Sequence, residues 1–247
     1  MKLRDLGAVT GVVGVLLFFT VGRSAYDAIY DFSPVLVAFL KFALLATFGE
    51  MCVSRVTRGC YLPEGFGLFP KMVVWGVLGI AVYSAFRLFE GGVTAVFFAG
   101  GASGGATVLP ALLSALLRAL LISVFMNAFF APILMVTHHL SDLHIEKNGG
   151  RFPLRTLDIG ALLESVNWRR FFGFVIAKTI PLFWLPAHTV TFLLPDRFRL
   201  IYATGLSVVL GLFLALARRD TTSSRTPIPA KARAEAATRP QVAERTA

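Results

Sequence analysis

Long apolar runs, separated by short polar and basic segments, make up most of this chain. The runs cover residues 7–22, 34–54, 70–89, 112–139, 171–192 and 198–217. A helix needs about 20 mostly apolar residues to cross the hydrocarbon core of a bilayer. The pattern therefore predicts an all-α integral membrane protein, a bundle of about four to six transmembrane helices with the lipid bilayer as its partner.

The first run, residues 7–22, is short for a span and follows a basic start at Lys2 and Arg4. Such a segment is typical of a secretory signal peptide or of an uncleaved anchor. The sequence VGRSAYDA that follows is a poor cleavage site, which favours an anchor helix and a short loop in residues 1–33. A four-span alternative places 7–22 and 171–192 at the membrane interface, and it also gives an even number of spans.

Prolines interrupt two of the runs. Pro132 lies within 112–139, and both Pro181 and Pro186 lie within 171–192. A proline inside a helix removes one backbone hydrogen bond and clashes with the preceding turn. We therefore predict a proline-kinked span at Pro132 and a broken helix over 171–192.

The 24 Lys and Arg residues are divided unevenly between the two sides of such a bundle. With the N-terminus inside, most of them fall on inner segments or in the C-terminal tail. The exceptions are Arg23, Arg87, Arg197 and Arg199 on outer segments and Lys41, Arg118 and Lys178 within spans. Because positive residues stay on the side from which insertion starts, both termini are expected on one cytoplasmic or matrix-like side. The membrane is expected to be a bacterial plasma membrane or an organellar one, mitochondrial or peroxisomal.

Composition favours a membrane protein over a nucleic-acid-binding protein. The chain is 56% hydrophobic and 15% charged, whereas soluble domains are about 45–50% apolar and about 25% charged. The net charge of +10 does not indicate a nucleic-acid partner, because the basic residues lie between apolar runs or in the tail.

Segments of different composition interrupt and follow the runs. Residues 218–247 are basic with few large apolar side chains, so we predict a disordered tail. The glycine-rich segment 90–110 is interpreted as an outer loop or short re-entrant piece, and 140–170 as a loop with a short interfacial helix. Residues 34–217 then form the transmembrane bundle.

Polar side chains recur at helical spacing inside three of the runs. They are Thr47, Glu50 and Ser54 in 34–54, Asn127 in 112–139, and Lys178, Trp184, His188 and Thr191 in 171–192. Polar groups inside a membrane are costly and usually face a bundle interior or water, so we predict that these residues are pore or polar-face candidates. Alternatively, they hold helices together through interhelical hydrogen bonds. Lys178 either extends to the interface or pairs with Glu50.

Catalytic and metal-binding patterns are not evident in the sequence. His138 and Asp142 lie one helical turn apart and could share a metal, but no second ligand cluster completes a site. Interfacial polar residues are the favoured interpretation. Cys52 and Cys60 match no metal-ligand or redox spacing. We expect no enzyme activity, no cofactor and no metal.

Three motifs with fixed spacing lie within the bundle. The C-terminal motif comprises Trp184, His188, Thr191, Phe192, Pro195 and Arg199. The N-terminal motif comprises Pro34, Gly49, Glu50 and Ser54, and the central motif comprises Asn127, Phe130, Ala131 and Pro132.

These motifs resemble those of the Mpv-seventeen and twenty-two-kilodalton peroxisomal membrane protein family. Its members are small multi-span proteins of mitochondrial inner and peroxisomal membranes, with bacterial relatives. The family carries Gln at the place of His188 and Asn at that of Thr191, and the resemblance covers residues 34–217. The resemblance implies a channel or a carrier of small metabolites. It also implies a structural role for six motif residues: Pro34, Gly49, Pro132, Phe192, Pro195 and Arg199.

The polar residues and the resemblance together predict a channel or transporter for small solutes. This hypothesis requires Glu50, Asn127 and His188 to line one polar path through the bundle. The alternative is a non-transporting membrane organiser or partner-binding protein, in which the same side chains are packing contacts. In either case the chain could assemble as a homo-oligomer.

Overall fold

The structure is a computed structural model in which the described residues form helices and connecting loops, with no strand among them. The described residues are 30–99, 108–196, 198–206 and 209. Several predictions concern residues outside this set: the anchor at 7–22, the tail at 218–247, most of the run at 198–217 and the centre of the glycine-rich segment.

Four long helices and one short helix account for most of the described chain. They are α1 (Pro34–Arg58), α2 (Leu68–Phe97), α3 (Val108–Phe125 continued by Met126–Phe130 and Ala131–Lys147), α4 (Ile159–Glu164) and α5 (Trp168–Leu193). A 3₁₀ turn at Leu154–Thr156 precedes α4, and residues 198–206 are helical after α5.

The helices α1, α2, α3 and α5 are each long and apolar enough to cross a membrane. They coincide with four of the runs predicted as spans, which confirms the all-helical class. Two helices are longer than predicted. α2 continues to Phe97 into the expected outer loop, because the residues that follow Gly91 and Gly92 are mostly apolar and include no proline. α3 continues to Lys147 into the expected inner loop.

The bundle has an apolar surface and a partly polar interior. Exposed leucines on α3 include Leu112, Leu113, Leu116, Leu117 and Leu120. Buried polar side chains include Thr47, Lys71, Ser123, Asn127, His188 and Thr191. Because soluble proteins rarely expose so large an apolar surface, the four helices indicate a membrane location.

Wide π-helical turns occur within three of the long helices. They comprise Phe42–Ala46 in α1, Met126–Phe130 in α3 and Phe171–Trp184 in α5. Pro132 lies in the first turn after the second of these segments, and Pro181 lies within the third. The helix predicted to be broken is therefore continuous but irregular, and the predicted kinks stay predictions.

Glycines on α2 bring this helix into close contact with α1. A Cβ added at Gly76 would lie 2.3 Å from a ring carbon of Phe39. One added at Gly79 would lie 2.5 Å from Phe42 Cβ and 2.7 Å from the Ala38 carbonyl oxygen. Small residues allow such approach in membrane helix pairs. α3 packs on both α5 and α2, so α3 connects the α1–α2 pair to α5.

The four long helices meet in a central apolar core. Phe42 of α1, Phe86 of α2, Ile122 and Met126 of α3, and Phe192 of α5 all belong to it. The core holds the four helices together, and it fixes how they present their polar faces to one another.

Replacing Gly79 by Ala is expected to lower the melting temperature of the detergent-solubilised protein. The new Cβ would meet the backbone of Ala38, which is unable to rotate away, so α1 and α2 must separate. Overpacking of this kind costs about 1–3 kcal/mol. The matched control is Gly91→Ala on the same helix, where a Cβ meets nothing within 4 Å. An unchanged melting temperature for Gly79→Ala would contradict the close contact.

Candidate functional site

A cavity of about 780 Å³ lies between α1, α2, α3 and α5. Exposed Arg58 and Glu146 line the end nearest the interhelical loops, so the cavity opens there. Trp184 and His188 line its inner end. The cavity borders α3 from Glu146 back to Met126, and a helix segment of this length spans about 30 Å. The cavity therefore reaches deep into the bundle.

Charged residues from three helices meet inside the cavity. Lys71 Nζ donates to Glu50 Oε2 at 2.6 Å and to Asp142 Oδ1 at 2.5 Å. His138 Nε2 lies 2.9 Å from Glu50 Oε1 and 3.7 Å from Asp142 Oδ2. Each carboxylate thus places one oxygen against the ammonium and the other against the imidazole. Trp75 Nε1 donates to Glu50 Oε1 at 2.6 Å. We call these five residues the Lys71 cluster.

Helical spacing brings the members of the Lys71 cluster together. Lys71 and Trp75 lie four residues apart on α2, and His138 and Asp142 lie four residues apart on α3, so each pair shares one helix face. The ring centroids of Trp75 and His138 are 4.2 Å apart. Lys71 Nζ lies 5.4 Å from the ring centroid of Phe66, which adds a cation–π contact.

Charge compensation makes Lys71 the central member of its cluster. Its side chain is only 6% exposed, compared with 20% for Glu50 and 25% for Asp142. An ammonium buried without a partner would be strongly unfavourable. Removing one partner of a buried ion pair leaves the other charge uncompensated, and this costs more than the pair itself contributes. The cluster therefore links α1, α2 and α3.

Glu50, His138 and Asp142 also resemble a metal-ligand group. One potential ligand atom from each lies within 4.8 Å of the others, and imidazole with carboxylates suits Zn²⁺. The Lys71 ammonium, however, lies between the two carboxylates. A metal ion would have to displace this ammonium, and the expectation of no metal stays a prediction.

A second polar group lies near the middle of the bundle, between α3 and α5. Ser123 Oγ donates to the Leu185 carbonyl oxygen at 2.7 Å. Asn127 Nδ2 donates to the Ser123 carbonyl oxygen at 2.9 Å and lies 3.1 Å from His188 Nδ1. The ring of Trp184 stacks on that of His188 at 5.2 Å. This group borders the inner end of the cavity.

A third group of charges lies at the opposite end of the bundle. Arg199 donates to Glu90 Oε2 at 2.5 Å, and its Nη1 lies 2.9 Å from Asp196 Oδ1. Arg118 Nη1 lies 3.7 Å from Glu90 Oε1. Arg199 Nε also donates to the Leu194 carbonyl oxygen at 2.8 Å, just after the end of α5. These contacts join α2, α3 and the helical residues 198–206.

The residues predicted as polar-face candidates occupy three different environments. Those that line the cavity are Glu50, Ser54, Trp184 and His188. Those buried elsewhere in the bundle are Thr47, Asn127 and Thr191. Lys178 is exposed on α5, and the cation beside Glu50 is Lys71. The Glu50–Lys178 pair considered from the sequence is therefore replaced by Glu50–Lys71, because Lys178 lies on the outer face of its helix.

The motif residues lie at positions that shape the backbone or fill the core. Pro34 starts α1 after Ser33, whose Oγ accepts from the Leu36 amide. The others are Gly49 at the cavity wall, Pro132 in the first turn of Ala131–Lys147, Phe192 in the core, Pro195 in the turn after α5, and Arg199 in the helical residues 198–206.

Sequence reasoning missed Lys71, Trp75, His138 and Asp142 as site residues. Lys71 stands at the start of an apolar run, where the sequence pattern favours a cation on an inner segment. The four-residue spacing of His138 and Asp142 is visible in the sequence, but by itself it favours interfacial polar residues. The available signal was the pair of four-residue spacings on two helices together with Glu50 on a third.

No family model, curated protein or solved structure matches this chain. The fold and the site define its class: an all-helical protein with four helices able to span a membrane and a charged cluster in a deep cavity.

Replacing Lys71 by Met is expected to lower the melting temperature strongly, by an amount equivalent to roughly 3 kcal/mol, because two carboxylates then face each other. Adding Glu50→Gln and Asp142→Asn to this variant should recover most of the loss. Arg58→Gln is the control, since its ion pair with Glu146 is 57% and 53% exposed and such pairs contribute little. Equal effects of Lys71→Met and Arg58→Gln would contradict the central role of Lys71.

Proposed function

We propose that this protein is a channel or transporter that moves small polar solutes across a membrane. The observation that carries the proposal is the cavity between exposed charged residues at the loop end and the rings of Trp184 and His188 inside the bundle. Its volume of about 780 Å³ lies in the range of about 300–1,000 Å³ typical of small-molecule sites.

The irregular backbone of α5 supports the same proposal. The π-helical segment Phe171–Trp184 contributes Phe171, Phe174, Thr179 and Trp184 to the cavity wall. Within a membrane, irregular backbone is tolerated where it is buried in protein or borders a water-filled space. π-helical turns also occur frequently at functional sites.

The orientation follows from the exposed basic residues at the mouth of the cavity. Arg58, Arg151, Arg155, Arg169 and Arg170 are exposed at this end of the bundle. Because positive residues concentrate on the side from which insertion starts, we propose that the cavity opens toward the cytoplasm or an equivalent matrix. Both termini would lie on that side.

A second candidate function is a non-transporting organiser or partner-binding protein. It is favoured by the hydrogen bonds that Ser123, Asn127 and His188 make to each other and to the Leu185 carbonyl, since such contacts also hold membrane helices together. The two functions differ in whether solute passes through the cavity.

We also propose a distant relationship to the Mpv-seventeen and twenty-two-kilodalton peroxisomal membrane protein family. This proposal is supported by the places of the C-terminal motif residues, which line the cavity, fill the core or form an ion pair. Trp184 and His188 stack at the cavity, Phe192 fills the core, and Arg199 compensates Glu90 after the turn at Pro195. This relationship carries only the general expectation of solute movement.

Liposomes containing the protein should release trapped small solutes faster than empty liposomes. A suitable panel contains one monocarboxylate, one amino acid and one sugar, each followed as radiolabel efflux. Absence of efflux above that of empty vesicles for every solute would contradict transport and favour the organiser function.

A matched pair of cysteine variants tests whether the cavity is the path. Both variants are made in a background with Cys52 and Cys60 replaced by Ser. Met135→Cys introduces a thiol on the cavity wall, and Ile133→Cys introduces one on the exposed apolar face of the same helix. A charged methanethiosulfonate reagent should reduce efflux at least severalfold for Met135→Cys only. Equal block of both variants, or of neither, would contradict passage through this cavity.

A further inference from the structure

The three tryptophans of this chain differ in their hydrogen bonding. Trp75 Nε1 donates to Glu50 Oε1 at 2.6 Å, and Trp168 Nε1 donates to the Leu163 carbonyl oxygen at 2.9 Å. Trp184 Nε1 is buried and has no hydrogen-bond partner in the described part of the chain. Most buried polar groups are hydrogen-bonded, so this orphan donor on a residue that lines the cavity points to a missing acceptor.

The neighbouring His188 presents a second free donor. Asn127 Nδ2 is identified as the nitrogen because it donates to the Ser123 carbonyl oxygen at 2.9 Å. The same nitrogen lies 3.1 Å from His188 Nδ1, so Nδ1 accepts. In a neutral imidazole the proton is then on Nε2. His188 Nε2 has no hydrogen-bond partner among the described residues, and His188 lines the cavity.

Both donors lie at the same place in the fold. The rings of Trp184 and His188 are stacked, with centroids 5.2 Å apart and planes inclined by 27°. The neighbouring parts of the cavity wall are apolar, formed by Phe42, Val82 and Met126. The inner end thus combines two N–H groups lacking acceptors with an apolar lining.

We propose that the inner end of the cavity binds its solute through an acceptor oxygen that receives the Trp184 Nε1–H and His188 Nε2–H groups. The solute class is a small molecule with a carboxylate or carbonyl oxygen and a short apolar part. This proposal rests on the proposed function and names the chemistry that the path selects. The two N–H donors discriminate against solutes that only donate, such as alkylammonium ions, because two donors facing each other lose their hydrogen bonds.

Indole NMR of the full chain in lipid nanodiscs tests this proposal directly. With ¹⁵N-labelled tryptophan, the three side-chain N–H groups should give three resonances, and Trp184→Phe identifies the one from Trp184. Butyrate, butyramide and butylamine are added separately. The acceptor-bearing butyrate or butyramide should shift the Trp184 resonance downfield and leave those of Trp75 and Trp168 in place, whereas butylamine should shift none.

The comparison of the three compounds also identifies the charge of the preferred solute. A shift with butyrate alone assigns an anionic acceptor, and a shift with both butyrate and butyramide assigns any carbonyl-type oxygen. No shift with either compound, or an equal shift with butylamine, would overturn the proposal.

Substitutions at His188 separate its donor role from packing. In His188→Gln, the amide oxygen can accept from Asn127 while the amide nitrogen donates into the cavity, so butyrate affinity should stay within about twofold. His188→Leu removes the donor and should weaken binding roughly fivefold, the typical effect of one neutral hydrogen bond. Trp168→Phe is the control for tryptophan loss outside the cavity and should leave the affinity unchanged.

The NMR shift and the efflux assay report independently on recognition and transport. A Trp184 shift without efflux supports recognition and contradicts the proposed transport function. Efflux of the acceptor-bearing solutes without a Trp184 shift overturns recognition at this place and leaves the transport function standing. Equal affinities in His188→Gln and His188→Leu would also overturn the role of His188.

Discussion

A cation buried among apolar helices determines much of this structure. Lys71 lies near the start of α2 with its side chain almost completely buried, so its charge must be compensated inside the bundle. Glu50 from α1 and Asp142 from α3 supply the two carboxylates. This requirement fixes the register of three helices, turns their polar faces inward and leaves apolar side chains to face the membrane.

The polar interior is arranged in successive layers along the bundle. The Lys71 cluster lies near the open mouth of the cavity, and Trp184 and His188 lie at its inner end. Phe86 and Phe192 follow, with ring centroids 5.0 Å apart, and Phe86 also contacts the ring of His188. The ion pairs of Arg199 lie beyond this aromatic layer. The cavity therefore connects with one end of the bundle and stops before the other.

The helices could be predicted from the sequence because the length of an apolar run shows whether a helix can span a bilayer. This length depends only on residues that are neighbours in the chain. The inward face of Thr47, Glu50 and Ser54 was also predictable, since helical spacing alone aligns these side chains. Lys71 was not predictable in the same way, because its burial depends on partners 21 and 71 residues away in the chain. The free donor of Trp184 depends on the absence of a nearby acceptor, which only packing determines.

The presence of a polar cavity inside an apolar shell is tested most directly by measuring which positions along α3 are accessible to water. Single spin labels would be placed at Phe129, Ile133 and Thr137 on the exposed face and at Ala131, Met135 and His139 on the cavity wall. In proteoliposomes, collisions with a water-soluble nickel chelate should be frequent at the three cavity positions, and collisions with oxygen should be frequent at the three exposed positions. Uniformly low collision rates with the nickel chelate at all six positions would contradict a water-filled cavity.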